Sequence, residues 1–227
     1  MIPKFIYRVH TTQLNILFGY LILNMKSRSS APITRFRDPD SNRRFEYHST
    51  AHSAFRRASE IISEAPPYRS AVVFDIDDTI LKNDANIKAC DGAKPHVGVM
   101  DLYRICIKKG IAIWFITARP ESTHNRDWTR RQLDCIGARW YTDLRMCPPN
   151  INSVSSVSRY KSEARQDLVR YHKRKIVMNI GDQWTDHSCV SRITSLNNLY
   201  TNGNTSWFLF ETEEPNVEWA FKLPSVD

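Results

Sequence analysis

Ala71-Val72-Val73-Phe74-Asp75-Ile76-Asp77-Asp78-Thr79 is the stretch from which the rest of the chain can be ordered. Its four leading apolar residues, rich in β-branched and aromatic side chains, predict a short buried strand. The run stops abruptly, and three carboxylates follow within four residues. Side chains alternate along a strand, so Asp75 and Asp77 are expected to leave its end on the same side. Carboxylates that close repel each other, and both stay ionised only beside a positive charge. A divalent cation with oxygen ligands supplies one, and Mg²⁺ favours one or two carboxylates together with phosphate oxygens and water. The competing reading is a strand running into a solvated acidic turn, since a motif this short also occurs by chance.

The chain that follows bears on that choice. Phe55, Ala58, Ile61 and Ile62 fall at helical spacing behind Ser49 and Thr50, and Pro66-Pro67 closes that helix. After a polar loop over 81–94, a second helix is expected from Pro95, with Val99, Leu102, Tyr103 and Cys106 on its apolar face and Gly110 at its end. Ile111 to Ile116 predicts a second buried strand, running into Thr117-Ala118-Arg119-Pro120. A helix over 121–136, a short strand around 144–146 and a loop over 148–158 come next. The helix Tyr160 to His172 presents Tyr160, Ala164, Leu168 and Tyr171 on one face. The strand Ile176–Ile180 ends at Gly181-Asp182. Strand alternating with helix implies an α/β fold whose mostly parallel sheet carries helices on both faces. Ligands then bind outside the strand C-termini. Three such termini carry polar residues: Asp75 and Asp77, Thr117, and Asp182.

In order, D-x-D-x-T, a Thr after a hydrophobic strand, Lys161, and Gly181-Asp182-Gln183-Trp184-Thr185-Asp186 resemble the haloacid dehalogenase (HAD) superfamily of phosphotransferases. Val73–Thr79, Phe115–Glu121, Tyr160–Glu163, Ile180–Asp186 and Phe221-Lys222-Leu223-Pro224 resemble its acid phosphatase branch, which includes the plant vegetative storage proteins. The resemblance runs over about residues 50–224 and is not clear over 192–215. It implies a HAD-like, Rossmann-like three-layer sandwich and a Mg²⁺-dependent phosphomonoesterase. Asp75 would be the nucleophile, forming an aspartyl-phosphate. Asp77 would be the acid/base. The cation would be held by Asp75, the backbone carbonyl of Asp77, and Asp182. Lys161 would meet the phosphate and the nucleophile, Thr117 and the N–H of Ala118 would bind the phosphate, and Asp186 would orient Lys161 or a metal-bound water. Ala118 stands where the branch usually has Gly, which matters only if the backbone there needs a positive φ.

Each residue also has a plainer reading. Thr117 alone is a helix cap, Lys161 is one of 32 basic residues, and Asp182 and Asp186 are turn residues. Arg119-Pro120 reads as a salt bridge at a helix start, and Trp184 as packing. The intervals of 42 and 44 residues separating Asp75, Thr117 and Lys161 are each filled by a helix and its loops, so any cap is small, at most the 83–94 loop. An open site suits bulky phosphoesters, phosphoprotein or polynucleotide ends included. A non-enzymatic storage or binding homologue is the remaining alternative, opposed by Asp75 and Lys161.

At 227 residues, 41% hydrophobic and 25% charged, the chain is sized for one soluble domain, expected over 49–227 behind an N-terminal extension over 1–48. The net charge of +8 is uneven: residues 1–70 carry 11 Lys+Arg against 5 Asp+Glu, and 203–227 one Lys against five acids. A basic arm meets nucleic acid, an anionic membrane, or only solvent. The apolar run Leu14–Leu23 makes 12–25 a signal or anchor candidate, but Lys26 and Arg28 crowd any cleavage site and Met25 offers a second start. Residues 32–48 read as a polar linker, and Asn204-Thr205-Ser206 as a glycosylation sequon if the chain is secreted. Cys90, Cys106, Cys135, Cys147 and Cys189 include no C-x-x-C, which disfavours zinc. As a scattered odd set they are expected to be free thiols, favouring a reducing, cytoplasmic compartment over secretion.

Overall fold

A computed structural model describes residues 33–37, 42–82, 93–151, 153–187 and 207–224. They lie within one compact unit, Pro32–Asp227. The signal or anchor candidate over 12–25, the sequon, most of the 83–94 loop, Cys90 and Cys189 fall outside the described residues.

In chain order the elements are β1 (Ile33–Arg37), β2 (Arg44–His48), α1 (Ala51–Glu64), β3 (Ser70–Phe74), β4 (Leu81–Lys82), β5 (Lys94–Pro95), α2 (Val97–Lys109), β6 (Ala112–Pro120), α3 (Thr123–Cys135), β7 (Asp143–Cys147), α4 (Val154–His172), β8 (Lys175–Gly181), a 3₁₀ turn (Trp184–Asp186), β9 (Trp207–Glu211) and β10 (Val217–Lys222). Among the described residues eight strands form one sheet in the order β1-β2-β9-β10-β8-β3-β6-β7, and β4 pairs β5 separately. The strands from β10 to β7 are parallel neighbours, whereas β1, β2, β9 and β10 are joined antiparallel.

The central strand β3 is buried along its whole length, as its charge-free sequence requires. Its alternating side chains serve two cores. Val72 and Phe74 join Ala58, Ile62, Leu102 and Leu133 from α1, α2 and α3. Ala71 and Val73 join Trp114, Ala164 and Leu168 on the opposite face, under α4. The expected α/β layering, with helices on both faces of a sheet parallel through its centre, is therefore present.

Local signals set several boundaries. Thr50 caps α1 by accepting the Ser53 N–H. Gly110 ends α2 in the left-handed region at φ 68°. Ser122 caps α3, so Thr117 is not a helix cap.

Other expectations are corrected. The stretch 32–48 is not a linker: β1 and β2 pair with each other, and β2 pairs with β9. Pro95 lies in β5, and α2 starts at Val97. The loop over 148–158 is shorter than expected, because Ser153 and Ser156 form a reciprocal capping box that starts α4 at Val154. Tyr171 points to solvent rather than to the apolar face. Cys135 is disulfide-bonded, while Cys106 and Cys147 are free and buried, so the thiols are not all unpaired. Among the described residues no helix is long and apolar enough to cross a membrane.

Candidate active site

The C-terminal ends of β3, β6 and β8 carry the polar residues singled out above, and α4 runs across the face beneath them. Asp75 is the first residue beyond β3, and its N–H donates to the Ile180 carbonyl at 2.9 Å, tying it to the end of β8. Asp75, Asp182 and Asp186 are all buried, and an oxygen of each lies within 4.8 Å of the others. Lys161, buried on α4, donates from Nζ to Asp75 Oδ1 at 2.6 Å and to Asp186 Oδ1. Residues 86 positions apart in sequence thus meet as an ion pair.

The turn after β8 is built to bring Asp186 back. Its Oδ2 accepts the Gln183 N–H at 2.9 Å. A Cβ on Gly181 would lie 2.2 Å from that same oxygen, so only glycine fits there. The Asp186 carbonyl accepts from Arg165 Nη1 at 2.7 Å and from Asn179 Nδ2 at 2.8 Å. Asp182 accepts from the Thr79 hydroxyl at 3.2 Å and from Gln183 Nε2 at 2.7 Å.

The strand ends at Phe74, and the chain turns through Asp78 at φ 54°. Asp77 stays near enough for its charge to push up the Asp75 carboxyl. The Asp77 carboxylate lies outside the three-carboxylate cluster. It receives a two-pronged pair from Arg119, Nε at 2.9 Å and Nη2 at 2.6 Å. Arg119 Nη1 in turn donates to Thr129 Oγ1 at 3.0 Å and Gln132 Oε1 at 2.6 Å on α3. The salt bridge expected of Arg119 exists, and its partner is a residue of the opening motif.

Thr117 is fully buried two residues past Phe115, the neighbour of Phe74 in register, and its oxygen accepts the Arg119 N–H at 3.2 Å. Ala118 is exposed and is not among the residues with positive φ, so alanine fits where the branch has glycine. Trp184 packs against Phe208 and Phe210, as the packing reading expected.

Burial and crowded charge together set the electrostatics. Burial, then the neighbouring Asp186 and Asp77, push the Asp75 carboxyl well above its ordinary range against the pull of Lys161. Burial and the charge on Asp186 raise Asp182 to about 6. Burial opposes charge on Lys161, but Asp186 and Asp75 outweigh it and hold the ammonium protonated. Burial likewise opposes charge on Asp186, and the ammonium of Lys161 more than offsets it. His187, behind the turn, is driven down to about 3 by burial and is neutral.

Residues 40–203 match the family described as HAD superfamily, subfamily IIIB (acid phosphatase). That span covers more than half of the chain and includes every residue of the cluster.

The chain belongs to this acid phosphatase family.

It is accordingly a phosphomonoesterase, a hydrolase of the HAD superfamily. Among solved structures it is similar to the class C acid phosphatase from Bacillus anthracis with tungstate bound, at 19% identity and a TM-score of 0.45, over 66% of this chain and 74% of that one. No curated protein matches it.

The sequence reading missed Arg119 as a partner of Asp77, and it missed Arg165, Glu214 and Asn179 entirely. Arg165 and Glu214 are 49 residues apart, and no local spacing signals their contact. Gly181 was in the quoted motif, and its steric role follows from the tight return of Asp186.

Proposed function

We propose that this acid phosphatase hydrolyses phosphomonoesters through an aspartyl-phosphate on Asp75, with Mg²⁺ as its cofactor. The observation that carries the reading is the Asp75–Lys161–Asp186 contact, two buried carboxylates on one ammonium, with the buried carboxylate of Asp182 within 4.8 Å of both.

The residues fit a hard cation. The donors are all carboxylate oxygens, Lys161 offsets only one of three negative charges, and burial, with the neighbouring carboxylates, pushes Asp75 and Asp182 toward protonation. Asp75 and Asp182 would hold the ion, together with the Asp77 carbonyl. When bound, Mg²⁺ would supply positive charge to the phosphoryl oxygens. Both carboxylate oxygens of Asp186 are already engaged, by Lys161 and the Gln183 N–H, which suits it to orienting Lys161.

A carboxylate oxygen of Asp75 attacks phosphorus as the ester P–O bond breaks. Asp77 donates its proton to the departing oxygen, then takes a proton from the water that attacks the same phosphorus and releases Asp75. Arg119 grips both oxygens of Asp77, so Asp77 is aimed by β6 and α3 rather than left to swing. Donation requires a proton on one of those oxygens and release of that prong of Arg119. Lys161 holds Asp75 and offers charge to the phosphoryl group. The Thr117 hydroxyl and the Ala118 N–H would bind its oxygens.

Turnover of an aryl phosphate, with Mg²⁺ and with excess chelator, tests this. Activity that needs Mg²⁺ and disappears in Asp75→Asn supports it. Equal rates in the two proteins from acidic to neutral pH would contradict it.

A further inference from the structure

We infer that Arg165 and Glu214 are positioning residues for the reaction, a clamp that sets where Lys161 stands by gripping the back of Asp186. The inference rests on the role proposed for Lys161 above.

Lys161 and Arg165 are one helical turn apart on α4, so both face the turn after β8. They hold the same residue from two sides. Lys161 takes the Asp186 carboxylate, and Arg165 Nη1 takes its carbonyl at 2.7 Å. The rest of the guanidinium is committed to Glu214: Nε lies 2.9 and 3.0 Å from its two oxygens, and Nη2 lies 2.6 Å from Oε2. Arg165 and Glu214 are 1% and 8% exposed. Glu214 belongs to the β9–β10 connection, and Gln166 fastens it further, donating to Oε1 at 3.0 Å and to the Pro215 carbonyl at 2.8 Å.

The fold does not need this pair for stability alone. Two buried charges lose their hydration, and a well-packed apolar pair of similar volume commonly serves as well. What an apolar pair lacks is direction. The planar guanidinium fixes three groups at set angles: the β9–β10 connection, the helix axis and the Asp186 carbonyl. Lys161 has a flexible stem and follows its anchor. If Asp186 shifts, Nζ shifts from Asp75, and misplacement by about 1 Å costs on the order of a hundredfold in rate. The clamp touches neither Asp75 nor Asp77 and acts only through Asp186.

The double variant Arg165→Met/Glu214→Leu separates positioning from stability. Three readings are taken on the full chain: the thermal midpoint, kcat and KM for an aryl phosphate, and the ¹H–¹⁵N correlation of the Lys161 ammonium, assigned by its absence in Lys161→Met. The expected result is a cooperative melt near wild type, kcat lower by about tenfold to a hundredfold with KM within about twofold, and loss of the protected ammonium signal. A folded double variant with wild-type kcat and an unchanged ammonium signal overturns the inference. Should the double variant not fold, Arg165→Lys carries the test, because lysine cannot form the fork. Wild-type kcat and ammonium signal in that protein overturn the clamp equally. An inactive wild type would instead defeat the reading of the site, and the ammonium signal would still decide the clamp.

Discussion

One sheet holds two kinds of buried charge. On its parallel side, β3 and β8 run into Asp75 and Asp182, Thr117 lies near the end of β6, and the buried charges converge on one point. On its antiparallel side, Glu46 is equally buried and sits among His48 Nε2 at 3.4 Å, Arg57 Nε at 3.2 Å and Arg35 Nε at 3.6 Å. His48 Nδ1 also shares a hydrogen bond with Ser53 Oγ at 2.7 Å. A serine, a histidine and a glutamate in contact suggest chemistry, yet Ser53 and His48 are sealed from solvent and join β2 to α1. Parallel strands deliver loops to one edge, where a ligand can reach them. Antiparallel neighbours deliver side chains to the sheet's faces, where they pack. Burial and charge are thus common to both sides, and only the open edge makes the first a site.

Removing one cation tests that division most strongly. Lys161→Met is expected to lower kcat by about a thousandfold or more and to cost about 3–5 kcal/mol of stability, because it leaves Asp75 and Asp186 buried without their counter-charge. Kinetics and a denaturant melt read the two effects separately. A variant with lost stability and full kcat would make the cluster a fastening like that around Glu46.

The antiparallel side should answer in stability alone. Phe210 is buried, stacked on Phe45 with ring centroids 5.5 Å apart, and touches Trp184 and His187. Phe210→Ala should cost about 3–5 kcal/mol, with kcat per folded molecule near wild type. A loss of kcat in protein shown to be folded would mean that the two sides are coupled through Trp184.

Opposite responses to pH sharpen the contrast. Asp182 is raised to about 6 from an ordinary aspartate value of about 3.9, so its protonated form stabilises the metal-free fold below about pH 4. That contribution is lost as pH rises through 6 and amounts to about 3 kcal/mol. Mg²⁺ should therefore raise the melting midpoint more at pH 7 than at pH 5, and Asp182→Asn should reduce the difference. Glu46 runs the other way. Burial opposes its charge, but the His48 hydrogen bond, Arg57 and Arg35 outweigh it and lower its pKa. Its contribution is present above the unfolded value and lost as pH falls, so Glu46→Gln should flatten the acid limb of stability without touching the Mg²⁺ response.

The smallest effect belongs to the rim. Arg44 pairs with Glu211 at 2.6 Å, half exposed, between β2 and β9. Glu211→Gln should change stability by about 1 kcal/mol or less and activity not at all.

The same division explains what the sequence made legible. Ser70–Phe74 and residues 176–181 are runs without charge followed by aspartates, so both the strand and its chemistry lie in consecutive letters. Lys161 could be placed by motif order, since alone it is one of 32 basic residues. β1 and β2 escaped because Ile33–Arg37 and Arg44–His48 mix charged and apolar residues, as half-exposed antiparallel strands do, and composition alone reads that as linker. β9 and β10 were likewise not foreseen. The pairing of Asp77 with Arg119 spans 42 residues, which no periodicity reports.

Trapping the phosphorylated enzyme tests the central claim most directly. Wild-type protein is mixed with an aryl phosphate and Mg²⁺, quenched in acid within one turnover, digested and mapped by mass spectrometry. The account predicts a phosphoryl group on Asp75, absent from Asp75→Asn. Turnover at the normal rate with the mark on another residue, or on none, would contradict it.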